Sequence, residues 1–417
     1  MKHNFIHMMT NQPLLHCFVR KKQFKKLISK LRSAVFLLLF TTCQVVVAQQ
    51  SLQFSESSLS EALEQSKVLH KPVFFFCYAS WCPHCKKMRE TLFTDLSVAT
   101  FYNQHFICVQ QDMEKGAGME LHKSFDIKSY PTFIFIDSSG TVLYRLTGEF
   151  KVSQFIAEGD NALTPAKQLP YLKQQFEKDV SNPDKCLEYL KALKKGGMDY
   201  SGMVKQYFAT QADRQLLTER NWVILANGTT DINSREFQFV LNHKEEFASI
   251  ASRERVERKI FYTVKELLTP LVESNDTINY FILRQPAKTI GQANVDSLVF
   301  AYDITVYQVN SKWKEYQQET LNSVETIAWN NYTELADIAG VYLKHISDTA
   351  VLAQSVLWAK RSLVLHEEYS TYILIAKLCQ KLDKKSEALL MTQKAKELAV
   401  KDGWDYTEAD SLLKELQ

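Results

Sequence analysis

The chain has 417 residues, 46% of them hydrophobic and 23% charged, with Gly 12 and Pro 9. That is too long for one compact core and too rich in apolar and aromatic residues for disorder, so two or more folded domains are expected. The formal net charge is +3, but residues 1–48 hold eight Lys and Arg and no acid, so the remainder carries −5; with no basic surplus, nucleic acid is excluded as a partner.

In chain order, a basic stretch from Arg20 to Arg32 runs into the apolar segment Ala34 to Val47, closed by Val46, Val47 and Ala48. This pattern reads as a secretory signal peptide over residues 1–48, cleaved after Ala48. The apolar run is short of the roughly 20 residues that span a bilayer as a helix, so no stable membrane span is expected after cleavage. The mature chain is therefore expected to be periplasmic or secreted. Six of the eight cysteines survive cleavage, namely Cys77, Cys82, Cys85, Cys108, Cys186 and Cys379. That density is too low for a disulfide-stapled miniature fold.

Leu59, Ala62, Leu63 and Leu69 recur with a helical period, and Ser58 with Glu61 is placed as a capping box. Val73 to Tyr78 (VFFFCY) is a continuous apolar run, as for a strand covered on both faces. A helix opens at Trp81-Cys82-Pro83-His84-Cys85 and runs through Met88 to Leu92, and Phe106 to Gln110 is a second buried strand. Thr132 to Ile136 and Thr141 to Leu146 flank Asp137-Ser138-Ser139-Gly140 as a hairpin, and Val152 to Ala162 is a closing helix. The order α, β, α, β, α, β, β, α gives a mixed sheet with helices on both faces, within residues 52–162.

Two prolines, Pro165 and Pro170, bracket a polar stretch, so residues 163–170 read as a linker. From 171 to 417 every signal is helical. Gly340, Leu352 and Ala359 recur 36 residues later as Ala376, Ala388 and Ala395, small or apolar positions where paired helices cross closely. This resembles tetratricopeptide-type helical hairpins, near residues 333–400, and predicts an all-α, repeat-like domain. The cluster Arg253, Glu254, Arg255, Glu257, Arg258 and Lys259 reads as a solvated helix face.

A Cys-x-x-Cys at the start of a helix suits dithiol chemistry. The first sulfur lies beside the unpaired N–H groups and positive end of the helix, which favour its thiolate, while the second sits a turn inward and attacks a mixed disulfide. Cys82 is then the nucleophile and Cys85 the resolving thiol. His84 adds a donor or a positive charge near the Cys82 sulfur, and Pro83 suits the first helical turn, where its missing N–H costs nothing. A half zinc site is the rival reading of the pair, but no second pair of ligands accompanies it. Cys77 and Cys108 sit in strand runs as buried thiols. A bridge between Cys186 and Cys379 has no support in the sequence. No motif asks for a cofactor or a metal.

Pro131 follows Cys85 by 46 residues and immediately precedes a strand. Together Trp81-Cys82-Pro83-His84-Cys85-Lys86, Asp112 ending the second strand, Tyr130-Pro131-Thr132 and Gly148 before the last helix resemble the thioredoxin fold family. The resemblance implies a cis peptide before Pro131, with Trp81, Tyr130 and Pro131 forming the substrate-binding surface opposite the two thiols. Within the family the chain looks like secreted bacterial members, including the thiol domain of DsbD-type reductases. Pro83-His84 matches DsbA-type oxidases, and Tyr130-Pro131-Thr132 resembles protein disulfide isomerases. Many thioredoxins carry a buried acid six residues before the first cysteine. Here that position is Phe76, with Glu114 a candidate substitute.

The function implied is an exported thiol:disulfide oxidoreductase acting on protein clients with thiols or disulfides, together with a redox partner the sequence does not identify. The direction of electron flow stays open, since family potentials run from about −270 mV to about −120 mV, although His84 points to the oxidising side. The alternative is a redox-responsive binding module whose helical domain recruits a protein partner.

Overall fold

The computed structural model describes residues 51–417, so the expected signal peptide lies outside the described residues. The chain divides into two compact units, the first reaching Tyr171 and including Lys195–Gly197, the second made of Leu172–Lys194 and Met198–Gln417.

The first unit opens with α1 (Leu59–Leu69), where the Ser58 side chain accepts from the Glu61 N–H and Glu61 reaches back to Ser58 in the expected capping box. Strand β1 (Val73–Tyr78) leads into α2 (Pro83–Thr91). Then comes α3 (Leu96–His105), which the sequence reading passed over and which Asp95 caps by accepting from the Ser97 and Val98 N–H groups. After it follow β2 (Ile107–Asp112), α4 (Gly118–Ser124), β3 (Thr132–Ile136), β4 (Val142–Thr147) and α5 (Val152–Leu163).

The sheet order is β2-β1-β3-β4, with β1 parallel to β2 and antiparallel to β3, and β4 antiparallel to β3. Side chains alternate across a strand, so VFFFCY feeds two cores. Phe74 and Phe76 pack with Phe133, Phe135, Phe93 and Phe155 on one face; Val73, Phe75 and Cys77 pack with Ala62, Val109 and Ile134 on the other. Helices cover both faces, as expected. Ser55 adds a single parallel bridge to Val109 at the outer edge of β2.

Residues 163–170, just before the division between the units, are structured. The first closes α5, a 3₁₀ turn spans Pro165–Lys167, and Pro170 is the second residue of the helix Leu169–Lys178, where its lack of an N–H is tolerated. The second unit is helical through Leu416. Leu352, Ala359, Ala376, Ala388 and Ala395 are all buried. Gly340 is not at a close crossing, because a Cβ there would meet nothing within 4 Å, and the buried small residue on that turn is Ala339. Cys186 and Cys379 are free thiols in separate core clusters. Among the described residues no helix is long and apolar enough to cross a membrane.

Candidate active site

Strand β1 ends at Tyr78, and the turn Ala79–Trp81 delivers Cys82 to the N-cap of α2, with Pro83 in the first helical turn. At the N-cap a side-chain acceptor satisfies a helix N–H that has no partner of its own. Here the acceptor is sulfur: Cys82 Sγ receives the Cys85 N–H at 3.2 Å. Both cysteines are free thiols and nearly buried.

Cys85 lies a turn inward. Burial, and then the adjoining Cys82 thiol, push its pKa up to about 12, against small opposing effects of Ala79 and Arg89. It therefore keeps its proton at neutral pH. Burial raises the two strand thiols as well. Burial raises Cys108 to about 12, and burial raises Cys77 well above its usual range although the charge of Arg145 opposes it.

The peptide bond between Tyr130 and Pro131 is cis. The Tyr130 ring meets Trp81 edge to face with centroids 6.1 Å apart, and Trp81, two-thirds exposed, donates its indole N–H to Glu114 Oε2 at 2.6 Å. Burial and the Glu114 carboxylate push the Tyr130 phenol up to about 12. Glu114 thus serves the tryptophan. Phe76 packs against Phe93 and Phe133, and the Arg89 guanidinium covers the Tyr78 ring at 3.7 Å. Asp112, whose burial works to raise it, is nonetheless held below the usual carboxylate range by hydrogen bonds from the Glu114 N–H, Ser80 and Lys115.

His84 has a partner that its sequence position does not announce. Its Nδ1 pairs with a carboxylate oxygen of Glu149, and Lys87 Nζ holds the other oxygen of Glu149 at 2.5 Å. These two contacts lower the Glu149 pKa, Lys87 first and His84 second. Sequence reasoning missed Glu149 because it stands 65 residues from His84. The one local signal is Gly148, whose φ of +92 lets the chain turn out of β4 and present the next side chain to α2.

A family model described as thioredoxin-like domain matches residues 59–163. The chain is 30% identical over 110 residues to the disulfide bond reductase DsbH of Chlamydia pneumoniae, covering 24% of this chain and 65% of that protein. It is 34% identical over 106 residues to the thiol:disulfide interchange protein DsbD of Actinobacillus pleuropneumoniae, covering 24% of this chain and 18% of that one. Among solved structures, a candidate disulphide-isomerase from Bacteroides thetaiotaomicron is 38% identical, covering 27% of this chain and 94% of that one, with a TM-score of 0.26. The chain thus spans about two thirds of DsbH and under a fifth of DsbD.

Proposed function

Since residues 59–163 are a thioredoxin-like domain, we propose that the protein is an exported thiol:disulfide oxidoreductase that exchanges disulfides with protein clients through Cys82 and Cys85. The observation that carries this is the Cys82 sulfur at the N-cap of α2, accepting the Cys85 N–H at 3.2 Å beside a resolving thiol held protonated. In the reducing direction Cys82 thiolate attacks one sulfur of the client disulfide. A mixed disulfide forms and the client's other sulfur leaves as a thiolate, which takes up a proton. Cys85 then gives up its proton and attacks the Cys82 sulfur. The Cys82–Cys85 disulfide forms, the client's second thiol departs, and two electrons and two protons have passed to the client. The oxidising direction is the reverse.

Trp81, Tyr130 and Pro131 are the surface against which a client peptide rests, with Trp81 fixed by Glu114. The chemistry draws no cofactor into the site. Export rests on the basic and apolar pattern of residues 1–48. The helical unit, whose sequence resembles tetratricopeptide hairpins near residues 333–400, is the part that selects or holds a client. Equilibrating the full mature chain with glutathione and quantifying the Cys82–Cys85 disulfide gives the potential and with it the direction. A pair that forms no disulfide across the glutathione range and leaves oxidised glutathione untouched would sink the proposal.

A further inference from the structure

The helix Arg253–Glu273 begins with a run of mixed charge, but the helical period sorts it. Arg255, Arg258, Lys259, Tyr262, Thr263 and Glu266 fall on one stripe, and all six line a cavity of about 370 Å³. Lys194 and Tyr200 line it too, as does Trp222 from the helix Glu219–Gly228. Glu254 and Glu257 do not. The lining therefore holds four cationic side chains against the single carboxylate of Glu266 among the described residues.

Two further features mark a built site rather than a solvated charge run. The first is Thr263, which is 1% exposed and whose hydroxyl has no hydrogen-bond partner, a cost that a buried polar group ordinarily avoids. The second is the state of the lysines. Lys259 donates to the Thr229 carbonyl, and burial, with the like charge of Lys194 adding to it and Glu266 opposing, pushes its pKa down to about 8. Lys194 donates to the Asn227 carbonyl at 2.8 Å and is also lowered by burial, against the pull of Glu266. At this cavity wall one carboxylate, Glu266, faces four cationic side chains, an imbalance that a bound anion offsets. Arg253, one turn away, is already bound to Glu245 at 2.6 Å, whereas Arg255 and Arg258 form no salt bridge among the described residues.

We infer that this cavity binds a small organic anion. Its carboxylate or phosphate group lies among Lys194, Arg258 and Lys259, and its apolar or planar body rests on Trp222 and Tyr262. The volume sits at the small end of the range for ligand pockets, about 300 to 1,000 Å³. Every lining residue belongs to the second unit, whereas the dithiol belongs to the first.

The test is titration calorimetry of the full mature chain in about 0.15 M salt, where diffuse attraction is screened. Pyrophosphate serves as the phosphate probe and citrate as the carboxylate probe. Saturable one-to-one binding of at least one probe, with Kd below about 1 mM, is expected, and the stronger probe identifies the anion class. Arg258→Gln, at an exposed position, and Lys259→Met should each weaken it by about tenfold or more, roughly 1.4 kcal/mol. Arg253→Gln should leave it unchanged. If Lys259→Met does not fold, Lys194→Gln takes its place. No saturable heat with either probe, or equal weakening by Arg253→Gln and Arg258→Gln, overturns the inference.

Discussion

In the first unit the buried charged side chains, Asp112 and Arg145, spend themselves on backbone and loop groups, while the interior between sheet and helices is filled by phenylalanine. In the second unit a carboxylate lies in the interior itself. Asp303, fully buried, is held at 2.7 Å by Arg284, by Lys288 and by the Tyr280 hydroxyl, which are spaced i, i+4 and i+8 along the helix Thr277–Lys288. A sheet fixes strand register through its own backbone ladder, so its faces can be uniformly apolar. Packed helices share no such ladder, and a buried polar contact between them fixes how one sits on the next. The first unit is thereby free to place its working groups at the ends of strands and the start of α2.

The sharpest way to break this contrast is to remove the nucleophile. Cys82→Ser should abolish exchange with oxidised glutathione, by about a thousandfold or more, roughly 4 kcal/mol of barrier, and leave the melting of the helical unit untouched. Cys85→Ser should instead accumulate a mixed disulfide on Cys82, seen by intact-mass spectrometry. A Cys82→Ser protein that still exchanges would show that another thiol does the work.

The reciprocal change lies in the second unit. Asp303→Ala strands the buried Arg284 without its carboxylate, leaves Lys288 with Glu319 alone, and should cost about 3 to 5 kcal/mol, read by urea unfolding followed by far-UV circular dichroism. Exchange with glutathione should stay within about twofold of the parent under native conditions, because Asp303 belongs to the second unit and the dithiol to the first. If activity collapses along with stability, the two units do not divide structure and chemistry as drawn here.

The contrast also explains what could be read from sequence. Cys82, Cys85 and the prolines at 83 and 131 act through local spacing, and alternation in VFFFCY is a property of six consecutive residues, so both the fold of the first unit and its thiols were legible. Helix α3 was not, because its buried residues Val98, Ala99 and Tyr102 are few and its amphipathic stripe is weak, although Asp95 ahead of it is a usable cap signal. Glu114 and Glu149 take their roles from partners 33 and 65 residues distant. In the second unit the small-residue period located buried positions at 352, 359, 376, 388 and 395 and slipped by one at Gly340. Contacts such as that of Asp303 with Arg284 join neighbouring helices through residues that, in sequence, look like any surface charge.

A third prediction follows the proton on Cys85. Its raised pKa means that reduced folded protein keeps a proton that the unfolded chain releases near its ordinary value of about 8.5. The stabilisation is therefore complete below about 8.5 and is lost as pH rises towards about 12. With Phe76 where an acid could have drawn the proton away, resolution of the mixed disulfide should accelerate steadily with pH through about 10. Stopped-flow release of a thiol from the Cys82 adduct reads this directly. A plateau near pH 7 would reveal a general base beside Cys85.

The smallest expected effect tests the most local feature, Glu149. This carboxylate pairs with both His84 and Lys87 on the first turns of α2, so any positive charge these side chains lend to Cys82 is offset on the spot. Whatever the protonation state of His84, Glu149→Gln removes one negative charge from the neighbourhood of the sulfur. A Cys82 thiolate then gains stability, the reduced form is favoured, and the potential becomes less negative, in the direction of an oxidase. Both partners are solvated, so the shift should be modest, on the order of 10 to 20 mV in glutathione equilibration, and should shrink at high salt. Glu149→Gln placed on a His84→Ala background should shift the potential less, because one of the two side chains that Glu149 holds is gone. A shift of the opposite sign, or one identical on both backgrounds, would mean that Glu149 acts on the dithiol by another route and that His84 is not the residue it restrains.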